Sequence, residues 1–293
     1  MPLPMPPMHD YNFVVQGVNL RARVSRASED SPVVLLLHGF PETGYAWRNQ
    51  VLPLHDAGWR VVTVDQRGFG QSGKPKGKDA YRLDLLAGDA MGIFDALGVK
   101  RGAIVGHDIG AIAAWRAAIE FPDRVSHLVA ISGPHPSAGK LSAAGLPLAW
   151  MRLFPVLHEA NLGFMNFRTL AACLTNNTKP GTITEGDLVH YREAWYREGA
   201  VPAMLAYFSA PAPSALQGER PRCPTTIIWG DKDSWYPVSQ AEASARATGG
   251  DVRLVRLPTG HYPHLDAPVE VTSAILDLLG RQEKHREWRP PQW

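Results

Sequence analysis

The run Ala103-Ile104-Val105-Gly106-His107-Asp108-Ile109-Gly110-Ala111-Ile112-Ala113-Ala114-Trp115 decides how the chain is read. An apolar, β-like stretch ends in Gly-x-Asp-x-Gly and passes at once into an Ala-rich segment of helical character, which puts Asp108 on a strand-to-helix turn. Small flanking residues let such a turn be sharp and hold the side chain at its tip exposed. Serine is the usual residue at the tip of a nucleophile-bearing turn. A carboxylate there is already ionised at neutral pH and needs no base to activate it. Taken alone, the motif reads first as an ordinary turn closed by Asp and Gly, so the case for a nucleophile rests on the surrounding sequence.

The chain, at 293 residues, is long enough for one large α/β domain or a domain with an insertion. With 45% hydrophobic and 20% charged residues it has the composition of an ordinary globular protein, and a net charge of +2 argues against nucleic acid or an anionic membrane as partner. Two cysteines, Cys173 and Cys223, are too few for a disulfide framework and lack metal-ligand spacing. Met1 to Met8 alternates apolar residues with Pro and does not read as a signal peptide. No window offers ~18 uninterrupted apolar residues, so a cytoplasmic protein without a membrane span is expected.

Strand and helix alternate through the first 131 residues. Strands are expected at Tyr11 to Val15, Asn19 to Val24, Val33 to Leu37, Arg60 to Val64, up to Asp108, and at His127 to Ile131, with helices over Tyr45 to Ala57 and Tyr81 to Leu97. This pattern implies a mostly parallel sheet with helices on both faces, whose reactive loops gather at the carboxyl ends of the strands. His38, Asp65 and Asp108 each follow a strand end and should therefore meet at one rim. From Pro134 to about Arg220 the texture becomes helical, with helices expected near Leu148 to Leu157, Leu162 to Leu174, Thr184 to Glu198 and Val201 to Phe208. Such an insertion reads as a cap over the rim, supplying a substrate pocket. The domain expectation is a core of residues 1–133 and 221–293 with a helical cap of residues 134–220. Strands then resume at Thr225 to Trp229 and Val252 to Leu257, followed by Asp233 and His261 respectively, and Pro268 to Leu279 reads as the closing helix.

Asp108, Asp233 and His261 thus stand at strand ends in the order nucleophile, acid, histidine. Together with His38-Gly39-Phe40-Pro41-Glu42, Asp65-Gln66-Arg67-Gly68-Phe69-Gly70-Gln71-Ser72, Pro134-His135-Pro136 and Gly260-His261-Tyr262-Pro263-His264, they make nearly the whole chain resemble the epoxide hydrolase branch of the α/β-hydrolase family, which also holds haloalkane and haloacetate dehalogenases. The resemblance implies an α/β-hydrolase fold with an eight-stranded, mostly parallel sheet and a helical lid. It further implies Asp108 as nucleophile, His261 as base, Asp233 as its partner, the backbone NH groups of Phe40 and Ile109 as oxyanion hole, and a cis peptide at Phe40-Pro41. No metal or other cofactor is expected. The substrates would be water and a small, apolar, epoxide-type molecule, and a homodimer is left open.

The chemistry stands without the name. A carboxylate attacking a saturated carbon forms an ester only if the leaving group is good or the ring is strained, as in halides and oxiranes. The ester must then be hydrolysed, and that is why a histidine is present although the nucleophile needs no activation. Haloalkane dehalogenases place Trp directly after the nucleophile, and haloacetate dehalogenases place Arg there and three residues on; this chain has Ile109 and Ile112. Epoxide hydrolases use two lid tyrosines as the ring-opening acid. Here the alignment puts Tyr207 one place before the usual acid and Phe208 on it, and no Tyr lies between Pro134 and His190. The candidates for that acid, or for substrate binding, are Tyr207, Tyr196, Tyr191 and Trp150, and Trp195 could also offer an indole NH. The alternatives are a dehalogenase-type hydrolase and a ligand-binding member of the fold with little turnover. Asp65 and Arg67 read as a structural pair, His38 and His107 as loop-orienting residues, and His261-x-x-His264 as lacking a third metal ligand nearby.

Overall fold

Val33–Leu37, Arg60–Val64, Gly102–His107, Val125–Ile131 and Thr225–Gly230 are buried along nearly their whole lengths, as strands covered on both faces must be. In the computed structural model, which describes residues 6–138, 167–211 and 219–280, they are β3, β4, β5, β6 and β7 of one eight-stranded sheet. Met8–Val15 (β1), Val18–Ser25 (β2) and Val252–Leu257 (β8) complete the order β1-β2-β4-β3-β5-β6-β7-β8. β1 pairs with β2, and β2 with β4, antiparallel; all the other pairs are parallel. This is the mostly parallel, eight-stranded sheet that the sequence resemblance implies.

Register brings the strand ends together. Leu37 lies opposite both Val64 and Gly106, His107 opposite Ile131, Ile131 opposite Ile228, and Gly230 opposite Leu257. The residues that follow these positions, His38, Asp65, Asp108, Asp233 and His261, therefore emerge along one edge of the sheet.

Helices cover both faces. Leu83–Ala96 (α2) and Ile109–Glu120 (α3) set Phe94, Ala113, Ala114 and Ala117 in the same apolar layer as Val33, Leu35 and Leu37. On the other face Val34 and Leu36 join Val51 and Leu54 of Val51–Asp56 (α1) and Val271, Ile275 and Leu278 of the closing helix. The alternation along β3 is that of a central strand feeding two cores.

Between β6 and β7 the described helices are Arg168–Thr175 (α4), Glu185–Trp195 (α5) and Ala200–Ser209 (α6). Thr184 caps α5 in a reciprocal box with Asp187. Beyond β7 come Val238–Thr248 (α7), Pro263–Asp266 (α8) and Pro268–Leu279 (α9). The helix expected at Leu148 to Leu157, with Trp150, lies outside the described residues. No helix among the described residues is long and apolar enough to cross a membrane.

Two local expectations are corrected. Instead of one helix over Tyr45 to Ala57 there is a 3₁₀ turn at Gly44–Trp47 and then α1, because Pro53 has no NH to donate and is tolerated only in a helix's first turn. Asp65 and Arg67 do not pair with each other. Arg67, with a side chain 2% exposed, grips both carboxylate oxygens of Asp89 at 2.6 and 2.5 Å and donates to the Ala80 carbonyl at 2.7 Å. Asp65 accepts the Gly44 and Gln71 amides, each at 3.0 Å. Asp89→Ala would leave a buried guanidinium without its carboxylate, and urea denaturation should show a loss of about 3–5 kcal/mol.

Candidate active site

Asp108 occupies the tip of the turn between β5 and α3 with φ 50° and ψ −119°, a backbone conformation that non-glycine residues rarely adopt. The turn is possible because its flanks are bare. A methyl on Gly110 would run into the carbonyl oxygens of Leu37 and His38, and one on Gly106 into the backbone of Gly110. The glycines of the motif thus serve the close approach of α3 to β3 and β5.

The Asp108 carboxylate is 1% exposed, and its Oδ2 accepts the Phe40 amide at 3.0 Å. Burial raises its pKa above the ordinary carboxylate value, against the opposing pull of His261, His107 and the Phe40 and Ile109 amides. Phe40 and Ile109, paired in the sequence reading as the amide donors, therefore both face this carboxylate. The Phe40-Pro41 peptide is cis, as the resemblance suggests.

Asp233, on the loop after β7, holds the histidine. Its Oδ1 accepts the amides of Trp235 and Tyr236 at 2.8 and 2.9 Å, and its Oδ2 accepts from His261 Nδ1 at 2.9 Å. With Nδ1 turned to Asp233, Nε2 points towards Asp108 Oδ1, 3.9 Å away. Neither of those two atoms has a hydrogen-bond partner among the described residues. The Trp235 indole stacks on the His261 ring at 4.3 Å and fixes its plane.

Behind His261 lies a second polar cluster. Glu42 accepts from His107 Nδ1 at 2.8 Å and from His264 Nε2 at 3.0 Å, while His107 Nε2 donates to the His261 carbonyl at 2.9 Å. Both nitrogens of His107 thus face acceptors, and although burial pulls its pKa down, Glu42 together with Asp108 and the His261 carbonyl leaves it raised. His264 is pushed down to about 4 by burial, and Glu42, despite its own burial, is held well below the ordinary value by the two histidines. The sequence offered no third ligand for the pair His261 and His264; the fold instead gathers His264 with Glu42 and His107, whose ligand atoms lie within 4.8 Å of one another, and leaves His261 outside the group. In this structure those atoms bond one another and tie the loop after β3 to the backbone of His261.

The lid candidates fall elsewhere. Tyr207 donates to the Arg67 carbonyl at 2.7 Å and packs against Phe69 and Tyr81. Phe208, about 100° further round the helix, sets its ring edge-on to Phe40 at 4.9 Å. Tyr196 is 63% exposed. Tyr191 is buried with an unpartnered hydroxyl among the described residues, and the charges around it are Glu42, Arg48 and Asp187. The Trp195 indole NH donates to the Pro41 carbonyl at 2.8 Å. Sequence reasoning missed Trp235 and Tyr236; lying within three residues of Asp233, they share its place on the rim.

Residues 32–268 match the family model described as the alpha/beta hydrolase fold. The AB hydrolase superfamily protein YfhM of Bacillus subtilis is 34% identical, with 91% of this chain and 96% of that protein covered. An epoxide hydrolase of Caballeronia sordidicola is 37% identical, covering 92% and 93% of the two chains. Among solved structures, epoxide hydrolase A of Mycobacterium thermoresistibile superimposes with a TM-score of 0.81 at 27% identity, over 93% of this chain and 98% of that one. With its sheet order, its aspartate-bearing turn and these relatives in agreement, the chain belongs to the epoxide hydrolase branch of the α/β-hydrolase fold family.

Proposed function

We propose that this protein opens an oxirane to a vicinal diol through a covalent ester on Asp108. The observation that carries the reading is the pairing of two buried atoms, Asp108 Oδ1 and His261 Nε2, that face each other 3.9 Å apart without other partners among the described residues. In the first half-reaction Oδ1 attacks a ring carbon, the C–O bond of the strained ring breaks, and the ring oxygen leaves as an alkoxide that takes up a proton. Of the acids named from the sequence, Tyr207 is engaged with Arg67 and Trp150 lies outside the described residues. In the second half-reaction water attacks the ester carbonyl carbon, His261 Nε2 removes its proton, and Asp233 orients the imidazole and stabilises its cation. The charge developing on Oδ2 faces the Phe40 and Ile109 amides. Among the described residues, α4, α5 and α6 act as a cap over this rim, and the Phe208 ring beside Phe40 suits an apolar substrate.

The rival halide chemistry lacks support at the position after the nucleophile. Ile109 offers no side-chain NH to a departing halide and no charge to a carboxylate.

Single turnover of an aryl epoxide in oxygen-18 water should place label in the peptide carrying Asp108. His261→Gln should form the ester and fail to release it, so that the intact mass rises by that of the epoxide. An unlabelled peptide and an unmodified His261→Gln protein would overturn the mechanism.

Asp108→Asn should abolish turnover and stabilise the fold. Burial raises the folded-state pKa, so the native state favours the protonated carboxyl and bears a cost once the group ionises. The variant's gain in melting temperature should therefore be full at neutral pH and vanish as the pH falls below the unfolded value of about 4. An equal gain at both ends of that range would contradict this assignment.

A further inference from the structure

The described lid tyrosines leave Asp108 without a phenol from above, yet one approaches it from the loop that carries Asp233. We propose that Tyr236 is a catalytic residue of ester hydrolysis, its hydroxyl donating a hydrogen bond to Asp108 Oδ1 as that oxygen departs with the product. This role rests on the covalent mechanism proposed above.

Tyr236 is 9% exposed and its backbone is pinned at both ends: its NH bonds Asp233 Oδ1 at 2.9 Å and its carbonyl accepts the Trp229 indole NH at 2.9 Å. Its ring lies 5.7 Å from that of His261. From this anchorage the hydroxyl lies near the Asp108 carboxylate, with the Asp233 charge also near. Asp108 Oδ1 itself has no hydrogen-bond partner among the described residues. Tyr262 also has Asp108 among its neighbouring charges, but its proton goes to the Phe40 carbonyl at 3.0 Å.

Direction decides which half-reaction the hydroxyl serves. In-line opening of an oxirane places the leaving ring oxygen on the far side of the attacked carbon from Oδ1. A phenol beside the carboxylate is on the near side, where the second bond breaks. Water adds to the Asp108 carboxyl carbon, its proton passes to His261 Nε2, and the carbonyl electron pair moves to Oδ2. When that pair returns, the bond from the carboxyl carbon to Oδ1 breaks, and Oδ1 leaves as the diol oxygen with the proton returned by His261. An ester oxygen is a poor acceptor and a departing alkoxide a strong one, so the Tyr236 bond strengthens in the transition state, the condition for a catalytic effect. Burial and the charges of Asp108 and Asp233 hold the phenol well above its ordinary pKa, so it keeps its own proton and acts purely as a hydrogen-bond donor.

The test is rapid-quench mass spectrometry with styrene oxide on wild type, Tyr236→Phe and His261→Gln. Tyr236→Phe should form the ester at a rate within about twofold of wild type and hydrolyse it about 100-fold more slowly, the scale of losing one oxyanion donor, so that ester accumulates. Unchanged ester decay in this variant, or slower ester formation without accumulation, would overturn the role of Tyr236. Absence of ester in His261→Gln would instead overturn the nucleophile assignment beneath it. A wild-type melting temperature for Tyr236→Phe shows that the effect is not one of folding.

Discussion

The structure turns on the close approach of α3 to the ends of β3 and β5, which leaves no room for a β-carbon at Gly106 or Gly110. That approach forces Asp108 into a positive-φ conformation and buries its carboxylate against the Phe40 and Ile109 amides. Such a backbone is costly for a non-glycine residue and persists only where its surroundings over-determine it. Here they do: a parallel sheet packed on both faces sets the positions of three strand ends, and the turn has no freedom to relax.

Around that carboxylate the protein separates three buried histidines by the acceptors it gives them. His261 meets one carboxylate on Nδ1 and keeps Nε2 for Asp108. His107 meets acceptors on both nitrogens and is favoured as the cation, whereas His264 shares Glu42 and is held neutral by burial. Glu42 is thus to the support layer what Asp233 is to the reacting layer. Each accepts several hydrogen bonds, and each holds an imidazole ring in orientation. In low dielectric the hydrogen bonds of such networks are stronger than in water.

Above the rim the donors have been redistributed. α6 turns Phe208 towards Phe40 and Tyr207 towards Arg67, so the lid contributes an apolar surface where a phenol was expected from the resemblance. Trp235 and Tyr236, from the loop after β7, crowd His261 and Asp108 from the side. These aromatic residues belong to the same core loop that carries Asp233.

Reading the residues alone was enough to obtain the strand-helix alternation, the order of Asp108, Asp233 and His261 at strand ends, and the place of Asp108 on a strand-to-helix turn. These follow from local period and from the rule that parallel strands end on one rim, so neighbouring sequence carries the information. Pro53 also marked, in retrospect, where a helix had to begin. Partners far apart in sequence were not legible: Arg67 with Asp89, His264 with Glu42, and the side of α6 that meets the rim depend on how elements pack, and one residue of helix turns a side chain through about 100°. The turn that carries Asp108 was therefore determined by the sequence, because the five residues Gly106 to Gly110 define it. Which hydroxyl stands beside it was decided only by the tertiary structure, because that depends on distances between loops that no local pattern contains.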